Sequence, residues 1–366
     1  MRISLVGRNL DAPRGGGELS VFPLLKALSE NHRISVFNVS EKKEIYTHRT
    51  INTHMSNWVP PSILIRPYLP FQWRALGIEM FSSRVFNEQL KRNQPDLLIV
   101  VDPAMIRLPR HLKAKTIFFV HGHDWRYYTK FVNNISRIRN EIGGKIRNIR
   151  NRKILERMDL IIANSKYMAR IVRKFGITST PIETVYPFIT LSSYRVRDKD
   201  APGKYITYIN PSYLKGIEIF RKIVKKLPRK KFIVIGKGIE KLKNIANNLT
   251  CIGWCNDVRD IYKNTSIMLF PSIYDEPFGR VPIEAGINGI PTIASNRGGL
   301  PESVGKGGIL IDNPYNINAW LSAIERIESD QKNFSNKSIF NAKKFAFEKS
   351  YDNFKKIVRK NLNLNI

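Results

Sequence analysis

The sequence predicts an α/β protein of two doubly wound domains facing each other across a cleft. Three observations predict it. Apolar runs such as Leu97–Val101, Thr116–Val120 and Leu160–Ala163 are strand-length and lack polar alternation, the pattern of parallel strands covered on both faces. Longer helical patterns separate these runs, as the crossovers of a parallel sheet require. The series occurs twice in 366 residues, a length suited to two domains rather than one.

In the first series Ile3–Val6 reads as a strand. A Gly-rich turn follows it, then a helix near Glu18–Ser29 and a strand at Arg33–Asn38. Later strands are Leu97–Val101, Thr116–His121, Leu160–Ala163 and Thr184–Tyr186. Periodicity stops at Pro187–Pro202, where Ser192-Ser193, Asp198-Lys199-Asp200 and Pro202-Gly203 are loop chemistry. The second series runs Tyr205–Ile209, a helix near Gly216–Lys226, Phe232–Ile235, Leu249–Ile252, Ile267–Phe270, a helix from about Gly279, and Thr292–Ala294. A helical stretch at about Ile339–Leu364 ends the chain. Domain boundaries follow at 1–190 and 201–340, with 341–366 as a closing helix.

Hydrophobic residues are 42% and charged residues 25%, which excludes a disordered, collagen-like or membrane-bundle chain. No apolar run approaches the roughly 20 residues of a spanning helix. The start, Met1-Arg-Ile-Ser-Leu-Val-Gly7, holds too short an apolar run for a signal peptide. Lys and Arg number 61 against 30 Asp and Glu, a net +31. That surplus bears on partners rather than fold, and anionic membrane, nucleic acid and phosphorylated substrates are the candidates. Cys251 and Cys255 are too few for a disulfide framework or a four-cysteine metal site and read as reduced thiols.

In open α/β sheets ligands bind beyond the carboxyl ends of the strands. Strand Ile267–Phe270 runs into Pro271-Ser-Ile-Tyr-Asp-Glu276-Pro-Phe-Gly-Arg280-Val-Pro-Ile-Glu284-Ala-Gly286. Pro277 stops regular structure and Pro282 suits a first helical turn. Glu276 therefore sits on the loop and Glu284 about one turn inside the following helix. Backbone N–H groups near Phe278, Gly279 and Arg280 make an anion site at that helix start. The eight residues span on the order of 10–12 Å, about the reach from sugar to ribose in a nucleotide diphosphate sugar.

This segment resembles the E-x7-E motif of retaining GT-B glycosyltransferases, the glycosyl transferases group 1 or family 4. The resemblance continues through Gly289-Ile-Pro-Thr-Ile-Ala-Ser295-Asn-Arg-Gly-Gly299-Leu-Pro-Glu302. It implies the GT-B fold, two Rossmann-like domains, with acceptor on the first and nucleotide-sugar donor on the second. It implies that Glu284 binds the donor ribose and Glu276 meets the donor sugar beside the anomeric carbon. It implies too that the closing helix crosses back to the first domain. Each acid has an alternative reading as a solvated helix-end charge.

Other segments match the same family. Asn210-Pro-Ser-Tyr-Leu-Lys215-Gly216 resembles its Gly-Arg…Lys-Gly segment, whose two cations hold the donor diphosphate. Asn210 stands where Arg is expected, and Arg280 is a candidate replacement sharing the diphosphate with Lys215. Ordinary surface charge is the alternative for either cation. Gly16, Gly17 and Glu18 resemble the family's Gly-Gly-x-Glu loop facing diphosphate and acceptor. His121, at a strand end, matches a family histidine near the donor sugar; His123 is its alternative, and a buried backbone partner is the rival role for either. Phe232-Ile-Val-Ile-Gly236-Lys-Gly238 and Cys251–Asp257 resemble the nucleotide-base region. Gly236-Lys-Gly238 lacks P-loop spacing. Asp198-Lys199-Asp200 follows no strand and reads as solvated loop charge. No metal site and no resident cofactor are expected, the nucleotide diphosphate sugar being a co-substrate.

Residues 126–174 carry fourteen Lys and Arg against three acids. Ile135, Ile138, Ile142, Ile146, Ile149 and Leu155 recur through them at roughly helical spacing. A basic helix with an apolar stripe suits an anionic membrane surface; equally, the stripe packs on the first sheet. Peripheral attachment to the inner face of the membrane of a cytoplasmic enzyme would suit a glycan or lipid-linked acceptor. A DNA-modifying glycosyltransferase would also explain the charge, but no groove-reading motif is present, so nucleic acid is not the expected partner. A non-catalytic binding module on the same fold and a nucleotide-sugar epimerase of the same architecture are the remaining alternatives.

Overall fold

The computed structural model describes residues 1–8, 16–39, 51–55, 90–101, 112–123, 145, 148–196, 203–255 and 257–366. They form two compact units, Met1–Phe188 with Tyr351–Ile366, and Ile189–Ser350. Residues 341–350 thus stay with the second unit, and the return to the first begins at Tyr351, inside the helix Phe347–Leu362.

The first unit holds a seven-stranded sheet. Its strands are β1 (Arg2–Arg8), β2 (Arg33–Val39), β3 (Ile51–Met55), β4 (Leu97–Val100), β5 (Lys115–Val120), β6 (Leu160–Ala163) and β7 (Ile182–Thr184), in the order β3-β2-β1-β4-β5-β6-β7. Every pair is parallel. β3 has no counterpart in the sequence reading, and β7 lies two residues earlier than expected. The C-terminal segment belongs to this unit's core. Phe354 is fully buried and its ring lies 5.7 Å from Phe119 and 5.8 Å from Phe188.

The second unit holds β8 (Tyr205–Ile209), β9 (Lys231–Ile235), β10 (Leu249–Ile252), β11 (Thr265–Phe270), β12 (Thr292–Ser295) and β13 (Gly308–Ile311), in the order β10-β9-β8-β11-β12-β13. All pairs are again parallel. The missing polar alternation has a direct cause. Phe232 and Val234 of β9 belong to one apolar cluster, with Phe220 and Trp320, while Ile233 and Ile235 belong to another, with Tyr262 and Ala285. Both faces are covered, so the interior of the strand must be apolar.

In each sheet the chain starts a new direction of strand addition beside its first strand, between β1 and β4 and between β8 and β11. Such a reversal opens a crevice beyond the strand ends. In the second unit the loop after β8 carries Lys215 and the loop after β11 carries Glu276.

Of the basic stretch 126–174, residues 126–144, 146 and 147 lie outside the described residues, as do Asp198, Lys199 and Asp200. Leu155 packs in the first unit's core, and the helix Lys166–Lys174 buries Met168, Ala169 and Val172 there. Ile149 is exposed. No helix among the described residues is long and apolar enough to cross a membrane.

Candidate active site

The switch point of the second sheet brings together Lys215 and Glu276, which are distant in sequence. Lys215 Nζ lies 3.6 Å from Glu276 Oε1 and 5.3 Å from the centre of the Phe270 ring at the end of β11. The Glu276 side chain is 9% exposed and that of Lys215 35%. A carboxylate so buried needs a partner to remain charged. The ammonium has three donors and keeps one side open to solvent, where an anion can reach it. The buried Ser272 hydroxyl sits 3.2 Å from Glu276 Oε1.

Two loops, those after β8 and β12, press on the loop that carries Glu276. Gly216 has φ +82°, and a Cβ there would collide with the Pro271 carbonyl oxygen. Gly298 has φ +59°, and a Cβ there would collide with the Glu276 carbonyl oxygen and lie 2.6 Å from the Glu276 nitrogen. The next N–H, that of Gly299, donates to the Glu276 carbonyl at 2.7 Å. Only glycine lets the loops after β8 and β12 close onto the loop that carries Glu276.

Glu284 lies on the helix Val281–Gly286, which is six residues long. It is equally buried. Its Oε2 accepts the Tyr262 hydroxyl at 2.9 Å, and its Oε1 is 3.2 Å from Arg280 Nε. Arg280 Nη2 donates to the Tyr194 hydroxyl at 3.0 Å. Burial first, and Glu284's negative charge second, hold the Tyr262 phenol well above the ordinary 10. The same two causes raise Tyr194.

The expected residues fall as follows. Lys215 and Glu276 meet, and Arg280 meets Glu284. The Arg280 guanidinium, expected to share the diphosphate with Lys215, lies against Glu284. Its side chain is 10% exposed and engaged by Glu284 and Tyr194, because the i,i+4 spacing puts it over Glu284. Phe278 is 2% exposed with its ring 5.3 Å from Phe345, so any donor contact at that position falls to its backbone. The N–H groups of Ile283 and Glu284 donate to the Arg280 carbonyl and are used within the helix. Gly279 packs on Leu300, and Gly236 packs on Asn210 and Pro211.

Three expected residues are in the first unit. Gly16 and Gly17 open the helix Gly16–Ser29 after β1. His121 follows β5, with its ring stacked 5.6 Å from Phe119 and its carbonyl accepting from Asn164 at 2.9 Å. His123 is buried edge-on against Tyr167. The residues that sequence reasoning did not single out are Tyr194, Tyr262, Ser272, Asn288 and Gly298. No group of three His, Cys, Asp or Glu that could hold a metal occurs among the described residues.

Paired doubly wound parallel sheets, with carboxylates and cations clustered at the second sheet's switch point, define a two-domain α/β protein of GT-B architecture. The chain belongs to the glycosyltransferases of that fold: residues 14–193 match the Glycosyltransferase Family 4 model and residues 202–345 the Glycosyl transferases group 1 model. An uncharacterized glycosyltransferase of Methanocaldococcus jannaschii is 34% identical over 163 residues, 40% of this chain and 40% of that protein. The chain thus spans under half the length of that relative. Among solved structures, sucrose-phosphate synthase from Thermosynechococcus elongatus aligns with TM-score 0.79 at 20% identity, covering 99% of both chains. Anabaena HepE in complex with UDP-glucose aligns with TM-score 0.70 at 16% identity, covering 98% of this chain and 100% of that one.

Proposed function

We propose that this chain is a retaining glycosyltransferase that moves a sugar from a nucleotide diphosphate sugar to a hydroxyl of a glycan or lipid-linked acceptor. The observation that carries the proposal is the Lys215–Glu276 pair, 3.6 Å apart at the switch point of the second sheet. Lys215 would hold the diphosphate and offset the charge that grows on it as the sugar departs. Glu276 would lie against the sugar and Glu284 would take the ribose hydroxyls. By the family resemblance His121 would orient sugar or acceptor, and Gly16 and Gly17 would allow close approach of the backbone to a ligand.

In the reaction the bond from the anomeric carbon to the phosphate oxygen breaks. The acceptor hydroxyl bonds to that carbon on the same face, and its proton passes to the departing diphosphate. The protein contributes position and charge, with Lys215 as the cation and no metal required. Residues 126–174 would rest on an anionic membrane surface carrying the acceptor, each basic residue near it contributing about 1 kcal/mol.

A panel of UDP-, GDP- and ADP-sugars, read by thermal shift and donor hydrolysis, tests the proposal. The true donor stabilises the fold as RT ln(1 + [L]/Kd), hydrolysis persists in EDTA, and the product keeps the donor's anomeric configuration by NMR. An inverted product or a chelator-sensitive reaction would remove those parts of the reading. Failure of every nucleotide sugar would remove the whole of it.

A further inference from the structure

The carboxylate of Glu284 is tied to the segment by which the chain enters the second unit. That segment begins at Ile189 and precedes β8. Two side chains fasten it. Arg280 bridges from Glu284 Oε1 at 3.2 Å to the Tyr194 hydroxyl at 3.0 Å. Asn288, one helical turn beyond Glu284 and 5% exposed, makes three bonds. Its Nδ2 donates to the Tyr194 carbonyl at 2.8 Å and to the Glu284 carbonyl at 2.9 Å, and its Oδ1 accepts the Val196 N–H at 2.8 Å. The Asn288 amide is thus shared between the segment and Glu284's own turn. Tyr262 closes the far side of the carboxylate at 2.9 Å.

We infer that Tyr194 and Asn288 are positioning residues, which set the orientation of the Glu284 carboxylate so that the conformation of residues 194–196 governs donor affinity. The inference rests on the assignment of Glu284 to the donor. Its physical basis is geometric. A carboxylate 10% exposed has few orientations available, and each is fixed by what its partners in turn hold. The Arg280 guanidinium is a rigid plane; its Nη2 donates to the Tyr194 hydroxyl while its Nε side lies against Glu284 as an ion pair. Removing the Tyr194 hydroxyl frees one end of the guanidinium, and the other end, on Glu284, loses its direction. Asn288 acts on the backbone of the same turn and keeps residues 194–196 seated against it.

The test measures Kd by calorimetry with UDP, GDP and ADP, the one that binds the wild type serving as probe. Tyr194→Phe and Asn288→Ala should each weaken that nucleotide about tenfold, the effect of losing one hydrogen bond to a charged partner. In a Glu284→Gln background the same substitutions should change Kd by less than about twofold. Thermal melting separates a merely structural role, which would lower Tm in both backgrounds and leave Kd unchanged. Equal weakening in both backgrounds, or unchanged affinity in a folded Tyr194→Phe protein, would overturn the inference. If Glu284→Gln alone leaves nucleotide affinity intact, it is the assignment of Glu284 to the donor that fails, and this inference with it.

Discussion

Gly298→Ala tests how the candidate site is built. Gly298 has φ +59°, which costs an alanine about 1–2 kcal/mol. Its Cβ would lie 2.6 Å from the Glu276 nitrogen and 2.7 Å from the Asp275 carbonyl carbon. Both are backbone atoms with no rotamer to escape into, and overpacking of that kind adds about 1–3 kcal/mol. The expected loss is about 2–5 kcal/mol, or roughly 10 °C in Tm for a domain of this size. Gly238→Ala is the control. Gly238 has φ +74° but open space around its Cβ, so only the backbone cost applies and Tm should fall by no more than about 5 °C. Activity should separate the two further. Shifting the Glu276 backbone by close to 1 Å should lower turnover about 100-fold, whereas Gly238→Ala leaves Glu276 in place. Calorimetric melting and a transfer assay on both variants decide it. If Gly298→Ala matches Gly238→Ala in Tm and leaves turnover at the wild-type value, the claim that the loop after β12 clamps the loop carrying Glu276 is wrong.

Glu276→Ala should lower kcat mainly, by at least about 100-fold if the carboxylate meets the reacting sugar, while Glu284→Ala should mainly raise the donor KM; steady-state kinetics showing the reverse order would undo the assignment. Lys215→Ala should weaken nucleoside diphosphate binding and also lower Tm, because it strands a carboxylate that is 9% exposed, at a cost of about 3 kcal/mol or more. Nucleotide affinity that survives this change would place the diphosphate elsewhere. The phenol of Tyr262 is raised in the folded state by burial and by Glu284. The stability it contributes is complete below the unfolded value near 10 and is lost as pH climbs above it. Melting curves from pH 7 to 11 should therefore fall above about pH 10, and less steeply in Tyr262→Phe; an identical slope in the two proteins would dissociate the phenol from alkaline unfolding.

The interior strands are legible in the sequence because burial on both faces forbids polar residues, as in Leu97–Val100 and Leu160–Ala163, all buried. The misreadings fall on edges. β3 (Ile-Asn-Thr-His-Met), β7 and β13 each close one side of a sheet. An edge strand has a neighbour on one side only, so its composition is less constrained, and all three residues of β7 are half-buried. The placement of Glu276 on a loop and Glu284 on the following helix is legible because prolines and a glycine punctuate that segment, whereas Lys215 stands out by family resemblance alone. Tyr194 and Tyr262 are not legible, since their partners stand 86 and 22 residues away and nothing local marks them. The Arg280–Glu284 pair lies between these cases. Its i,i+4 spacing announces an ion pair, a simpler reading than a cation replacing the arginine absent at Asn210.

The helix Phe347–Leu362 carries residues made after Ile189–Ser350 into the core of the unit made before it. During synthesis, the ribosome completes all of Ile189–Ser350 before Phe354 can cover Phe119 and Phe188. The amino-terminal unit is consequently an unfinished body until Phe354 has been made, with the apolar rings of Phe119 and Phe188 uncovered. A stop codon at Tyr351 would strip that core of Phe354, a side chain whose loss alone is worth about 3–5 kcal/mol.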